Sequence, residues 1–379
     1  MTEDLEPPFT IGIEEEYLLI DPKTGDLATD PPASILKECE GRLGDRVTPE
    51  LLRAQIEVGT KACGSIAEVT EDLTALRRCI RDVAGEHGLT FIAASTHPTA
   101  LWDEQRRTDK ERYDTLIEDM QAPARRLLIG GMHVHIGIDD EDMRIDLMNQ
   151  VSYFLPHLLA LSTSSPFWHG QSTGLMSYRL AVWRELPRTG LPPHFQSYSE
   201  YKRTVDTLIQ SGVIEDTTKI WWDVRPSDRF PTLEMRMTDI CTRLEDTICI
   251  AALYRCLLRM LWRLRQDNQS WRRYDRFMVA ENCWRAQRYG FDQGLIDFGK
   301  RKIVPYPALL EEILLHIRED AEYFDSVAEV EHARTILKRG TSAHRQIAVW
   351  QEARDAGKDN GTALRDVISM LCEDTVHGL

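Results

Sequence analysis

Along the chain, apolar and polar residues alternate with a period of two in a few short stretches and recur at helical spacing through most of the second half. The first alternating stretch is Phe9–Ile20, Phe-Thr-Ile-Gly-Ile-Glu-Glu-Glu-Tyr-Leu-Leu-Ile. Alternate side chains of an extended strand share a face, so this run predicts a strand with Glu14 and Glu16 on one side and Ile13, Glu15 and Tyr17 on the other. Asp21-Pro-Lys-Thr-Gly25 has the residues of a chain reversal. Ser34–Glu40 fits a short helix. Arg53–Thr60, with Ile56 and Val58 alternating against Gln55 and Glu57, predicts a second strand. Ser65–His87 predicts an amphipathic helix: Ser65 is a cap, Glu68 completes a capping box, Val69, Leu73, Leu76 and Ile80 form the apolar stripe, and Gly88 follows. Leu89–Ser95 reads as a short buried strand.

Gly130–Ile138, Gly-Gly-Met-His-Val-His-Ile-Gly-Ile, predicts a further strand with His133 and His135 on one face, the spacing already seen in Glu14 and Glu16. Asp142–Leu161 carries a helical pattern interrupted by Pro156. Ser162–Pro193 is a polar tract punctuated by Gly and Pro that holds Arg179, Arg184 and Arg188, and a loop of that length is usually functional or disordered. Ile220–Asp239 predicts two strands, the second placing Glu234 and Arg236 on one face. From Leu244 the pattern turns helical, over about 244–267, 270–288, 307–320, 327–338, 342–356 and 360–374. No repeat or linker interrupts it, so the expectation is one α+β domain over 1–379, sheet-rich to 243 and helical from 244 to 379.

Composition narrows the function classes. With 379 residues, 42% hydrophobic and 28% charged, the chain is long enough to bury a substantial core. A formal net charge of −15 argues against a sequence-independent nucleic-acid binder, which needs clustered Lys and Arg. The eight cysteines are scattered with no Cys-x-x-Cys pair, which predicts reduced thiols and a cytoplasmic protein. No run approaches the roughly 20 apolar residues that span a bilayer, and no targeting segment is expected.

Carboxylates inside apolar strands are costly unless something binds them. Four strand-like segments each present ionisable groups on one face: Glu14 and Glu16, Glu57, His133 and His135, Glu234 and Arg236. Acids with an imidazole suit Mg²⁺ or Mn²⁺ bridging nucleotide phosphates better than the Cys and His sets of structural zinc. The plainer readings are an edge strand guarded by charge for Glu14 and Glu16 and a simple ion pair for Glu234 and Arg236.

Eight short motifs arrive in the order of one known family. They are Ile-Gly-Ile-Glu-Glu-Glu-Tyr (11–17), Glu-Leu-Leu-Arg-Ala-Gln-Ile-Glu-Val-Gly-Thr (50–60), Gly-Met-His-Val-His-Ile-Gly (131–137), Ser-Tyr-Arg (177–179), Pro-Arg-Thr-Gly-Leu-Pro (187–192), Trp-Trp-Asp-Val-Arg-Pro (221–226), Leu-Glu-Met-Arg (233–236) and Arg-Gly-Thr-Ser-Ala (339–343). Across nearly the whole chain the sequence resembles the type 2 glutamate–cysteine ligases, in the carboxylate-amine ligase branch, whose catalytic domain is related to glutamine synthetase. The resemblance implies an ATP-dependent ligase that activates a carboxylate as an acyl phosphate and transfers it to an amine, with glutamate and cysteine as the expected pair. It implies a curved, mainly antiparallel sheet forming a glutamine-synthetase-like funnel, with helices packed outside and a helical C-terminal region. It further implies metal ligands at Glu14, Glu16, Glu50, Glu57, Glu234 and a histidine of the His-x-His strand, for which His135 is preferred, with His133 at the nucleotide or a structural histidine and Arg236 at the nucleotide near the transferring phosphate. Arg179, Arg188, Arg225 and Arg339 are candidate substrate contacts, and a homodimer is expected. Phosphoryl transfer needs positioning and charge neutralisation, which metals and an Arg fork supply. Two other readings compete: a zinc hydrolase built on the His-x-His strand, and a non-catalytic nucleotide- or metal-binding protein.

Overall fold

The computed structural model describes residues 6–379, and its centre is strand β1 (Ile11–Ile20). The other strands, in chain order, are β2 (Val47–Pro49), β3 (Gln55–Gly59), β4 (Thr90–Ile92), β5 (Met132–Gly137), β6 (Phe167–Trp168), β7 (Gln171–Ser172), β8 (Thr189–Gly190), β9 (Trp221–Trp222), β10 (Val224–Pro226), β11 (Thr232–Met235), β12 (Leu295–Asp297) and β13 (Lys302–Val304). Seven of them form an open sheet in the order β10-β11-β5-β1-β3-β2, with β4 also paired to β1, and every pairing in it is antiparallel. Because β1 is interior, its carboxylates guard no edge; that reading is corrected.

Register fixes the faces. Across β1, Glu14 stands opposite Gly59 and His133, Glu16 opposite Glu57, and Gly12 opposite His135, which in turn faces Glu234. Directly opposed residues of an antiparallel pair share a face, so the predicted acids and histidines lie on one side. On the other side Ile11, Ile13, Tyr17 and Leu19 join a buried cluster that takes in helix Ile66–Glu86, helix Leu244–Gln266 and the C-terminal helices as far as Ile336. Glu15 points into this core and is fully buried. Both carboxylate oxygens meet Arg77, at 2.7 and 2.9 Å, and also accept from Tyr17 Oη at 2.5 Å and Thr247 Oγ1 at 2.7 Å. The site face turns apolar at Leu18 and Ile20, which join a second cluster with Leu51, Leu127, Trp221 and helix Asn360–Thr375.

Helix Ile66–Glu86 begins where capping chemistry predicts: Ser65 Oγ accepts from Glu68 N–H at 3.2 Å, while the Glu68 carboxylate reaches back to Gly64 N–H rather than to the cap residue. The pattern around Pro156 resolves into helices Glu141–Val151 and Leu155–Ser162, with the proline in the first turn of the second, where its missing N–H costs nothing. The helix expected from 270 starts at Arg276, because Asp275 caps it. The one expected over 307–320 is two, Tyr306–His316 and Arg318–Tyr323. The tract 162–193 is not a structureless loop: it contains β6–β7, helix Arg179–Trp183 and β8. Helices Glu111–Met120 and Tyr198–Gln210 lie in stretches for which no element is expected above. All eight cysteines are free thiols, and among the described residues no helix is long and apolar enough to cross a membrane.

Candidate active site

The site face of the sheet floors a cavity of about 970 Å³. Three groups of potential metal ligands lie along it, each with its donor atoms within 4.8 Å of one another: Glu16, Glu50 and Glu57; Glu14, Glu57 and His133; Glu14, His135 and Glu234. Glu14 and Glu57 are each shared by two groups. The structure thus brings together all six predicted ligands and His133.

Electrostatics divide the two ends. At one end Glu16, Glu50 and Glu57 crowd together. Burial and the neighbouring Glu57 push the Glu16 carboxyl up to about 7, and burial with Glu57 and Glu16 holds Glu50 well above the usual range. Glu57 is also raised, by burial and by Glu14, although Thr48 Oγ1 donates to it at 2.8 Å. Glu16 Oε2 accepts from Gly131 N–H at 2.8 Å. Three half-buried acids that repel one another are what a divalent cation would neutralise. At the other end burial raises Glu14, but His133 Nδ1 at 3.0 Å and His135 Nε2 at 3.4 Å outweigh it and hold the carboxyl well below its ordinary value. Burial and Arg236 lower His133 to about 4, so it is neutral near pH 7. His135 Nδ1 lies 3.1 Å from Thr232 Oγ1, while its buried Nε2 makes no hydrogen bond. An imidazole nitrogen that faces a carboxylate at 3.4 Å without a well-formed hydrogen bond fits a metal ligand.

The arginines separate by place. Arg236 pairs with Glu234, the plain ion pair being present, and has Nη1 3.4 Å from His133 Nδ1, while its buried Nε makes no hydrogen bond. Arg225 also pairs with Glu234, at 3.0 Å, and gives its other donors to the carbonyls of Thr217, Thr218 and Ile220. Together the two arginines overcome the cost of burial and hold Glu234 ionised far below the usual range. Arg179, buried, donates to the carbonyls of Arg236 and Met237. All three line the cavity. Arg188 and Arg339 do not. Arg188 sits behind the wall, donating to the Lys219 carbonyl at 2.8 Å with its guanidinium 5.4 Å from the Trp221 ring centroid. Arg339 is engaged with Asp246 and Glu245 at the end of helix Val327–Arg339.

The structure adds residues that no motif named. Lys110, the N-cap residue of helix Glu111–Met120, and Tyr113 in its first turn reach the cavity, and Trp183 reaches it from helix Arg179–Trp183. Trp183 stands four residues after Arg179, so a helical reading of 179–183 puts both on one face.

The model of glutamate–cysteine ligase family 2 matches residues 10–363. A Rhodospirillum rubrum protein named "Putative glutamate–cysteine ligase 2" is 60% identical over 378 residues, covering 99% of this chain and 97% of its own. The chain belongs to glutamate–cysteine ligase family 2. It is accordingly an ATP-dependent ligase that forms a carbon–nitrogen bond. A Paracoccus denitrificans relative of the same name is 50% identical over 374 residues, 99% of each chain. Among solved structures, a glutamate–cysteine ligase from Francisella tularensis in complex with AMP superposes with TM-score 0.68 at 15% identity, covering 97% of this chain and 89% of that one. A bifunctional glutathione synthetase from Pasteurella multocida gives TM-score 0.70 at 14% identity, and this chain spans 52% of it. At such identities these two establish the shared fold: an antiparallel sheet carrying helices.

Proposed function

We propose that this family-2 ligase uses Mg²⁺-ATP to convert a carboxylate into an acyl phosphate and joins it to an amine, with the γ-carboxylate of glutamate and the amino group of cysteine as the first pair to test. The observation that carries the reading is the run of three carboxylate-rich donor groups, sharing Glu14 and Glu57, along a face that ends at Arg236. The names of the relatives support the substrates.

Glu16, Glu50 and Glu57 would hold one Mg²⁺, and Glu14 with Glu234 and a histidine another. Bound there, the ions would neutralise phosphate oxygens and align donor with acceptor. The chain's own groups do the rest. Arg236, fixed by Glu234, offers a permanent positive charge to the oxygens of the transferring group. The attacking carboxylate is ionised at pH 7 and needs no base. Leu116, Leu186, Trp183 and Trp221 give the cavity apolar wall, which would keep water from the activated acyl group. Free thiols fit a cytoplasmic enzyme, and the fold is proposed to act as a homodimer.

The zinc-hydrolase alternative needs both histidines on one ion, yet His133 and His135 fall in different donor groups, each dominated by oxygen. The deciding assay follows phosphate release from Mg²⁺-ATP with acid alone, amine alone and both. Release that needs both, with an amide of matching mass, supports the ligase pair; hydrolysis of simple amides with Zn²⁺ and no ATP requirement overturns it.

A further inference from the structure

Trp183 ends helix Arg179–Trp183 and lines the cavity. Its ring serves two guanidinium groups at once, with Arg179 Cζ 5.8 Å and Arg236 Cζ 5.9 Å from the centroid. The two arginines arrive from different elements, Arg179 one turn earlier on the same helix and Arg236 directly after β11. Two like charges in a wall poor in water repel strongly, so their pairing here requires restraint. Part of it is backbone: Arg179 Nη1 and Nη2 both donate to the Arg236 carbonyl at 3.2 Å, so one arginine's position sets the other's. Part is room made by Gly131, where a Cβ would stand 2.9 Å from Arg179 Cζ. Glu234 pairs with Arg236, and the charges of Asp239 and Glu16 favour Arg179. The π face of Trp183 adds an attraction shared by both guanidinium groups, indole being the strongest aromatic partner for a cation. Trp183 is braced in turn by Trp221, whose centroid is 6.2 Å away at 64°. With this arrangement both Nε–H groups are buried and unpartnered.

We propose that Trp183 is a positioning residue, a shared platform that holds Arg179 and Arg236 side by side so that their free Nε–H groups meet the transferring phosphoryl group. This rests on the phosphoryl-transfer reading above. Leucine at 183 would keep an apolar wall and remove the π face, whereas phenylalanine would keep a ring.

Two readouts test the platform separately from the reaction. In spectra of protein carrying ¹⁵N-arginine, two guanidinium Nε–H resonances are displaced upfield by the indole ring current; they return to ordinary positions in Trp183→Leu and stay displaced in Trp183→Phe. In the acid- and amine-dependent phosphate-release assay, kcat falls on the order of tenfold or more in Trp183→Leu, the loss seen when donors to developing charge are mispositioned, while KM for ATP moves little. Trp183→Phe recovers most of the rate. Absence of ring-shifted resonances in the wild type overturns the proposal. So does a Trp183→Leu enzyme with wild-type kcat, or a folded Trp183→Phe enzyme as slow as Trp183→Leu. If Trp183→Leu does not fold, the wild-type spectrum and the Phe variant decide. Shifted resonances in a wild type that releases no phosphate would sink the ligase reading and leave the platform standing.

Discussion

Glu15 and Glu16 are neighbours in sequence and differ in which side of β1 they take. Period-two alternation makes that difference legible without a structure, and the observed register agrees. The alternation does not reveal what meets Glu15. Its partner Arg77 lies 62 residues away in a helix, four positions after Leu73, and so falls inside the apolar stripe, the one clue that it is a core residue. The two carboxylates therefore fail in different ways. Glu16→Gln removes a member of the acidic group. It should reduce acid- and amine-dependent phosphate release by at least about a hundredfold and abolish the rise in melting temperature that Mg²⁺ gives the wild type. With one repulsion gone, the metal-free variant should melt no lower than wild type. Glu15→Gln breaks a fully buried ion pair and should cost about 3–5 kcal/mol of stability while the folded fraction keeps its turnover. Melting curves with and without Mg²⁺, read beside the rates, check both; a Glu16→Gln enzyme of normal rate would refute the assignment of Glu16.

Among elements, the strands with strong alternation and the helices with continuous apolar stripes were readable. Two helices escaped although their signals are present: Tyr113, Leu116, Ile117 and Met120 recur at helical spacing in Glu111–Met120, and Ser197 caps Tyr198–Gln210 by accepting from Glu200 N–H. The tract 162–193 misled because its two-residue strands are too short to alternate, and what orders it is buried side-chain bonding, such as Asp239 accepting from Ser165 and Ser177. Nor could local pattern place the start of helix Glu111–Met120 and the segment before it over the site. There Thr108 Oγ1 donates to the Glu50 carbonyl at 2.6 Å and Tyr113 Oη to the Pro49 carbonyl at 2.8 Å, clamping the turn that presents Glu50. Tyr113→Phe and Thr108→Ala should loosen that turn. Each should raise the Mg²⁺ concentration for half-maximal activity by about threefold to tenfold, the loss typical when groups supporting a metal ligand are removed. Mg²⁺ titrations of the rate check this, and unchanged midpoints in both variants would contradict the clamp.

At the scale of the molecule, the site exists only because strands from four parts of the chain align one face, and the surrounding body must stay folded to hold it. His97 is one point where that body is sensitive to acid. It is buried, its Nε2–H donates to the Gly25 carbonyl at 3.0 Å, and its Nδ1 accepts from Thr99 N–H at 3.2 Å and Ala100 N–H at 3.0 Å. Burial lowers it from 6.5 to about 4. The unfolded chain then takes up the proton first, so the stability His97 contributes is full above pH 6.5, falls as the pH drops, and is lost through pH 4. The loss amounts to about 3 kcal/mol. Urea titrations between pH 7 and 4 should show a shallower decline for His97→Gln than for wild type, and parallel declines would contradict the assignment.

The central claim is that one face of this sheet couples ATP cleavage to the joining of an acid and an amine. It is tested most directly by phosphate release from Mg²⁺-ATP by the purified protein, with glutamate alone, with cysteine alone, with both, and with a panel of other acids and amines. The account predicts release that requires an acid and an amine together, an amide product of matching mass, and loss of both in Glu16→Gln. Release that is indifferent to the amine, or no release across the panel while simple amides are hydrolysed with Zn²⁺, would contradict it.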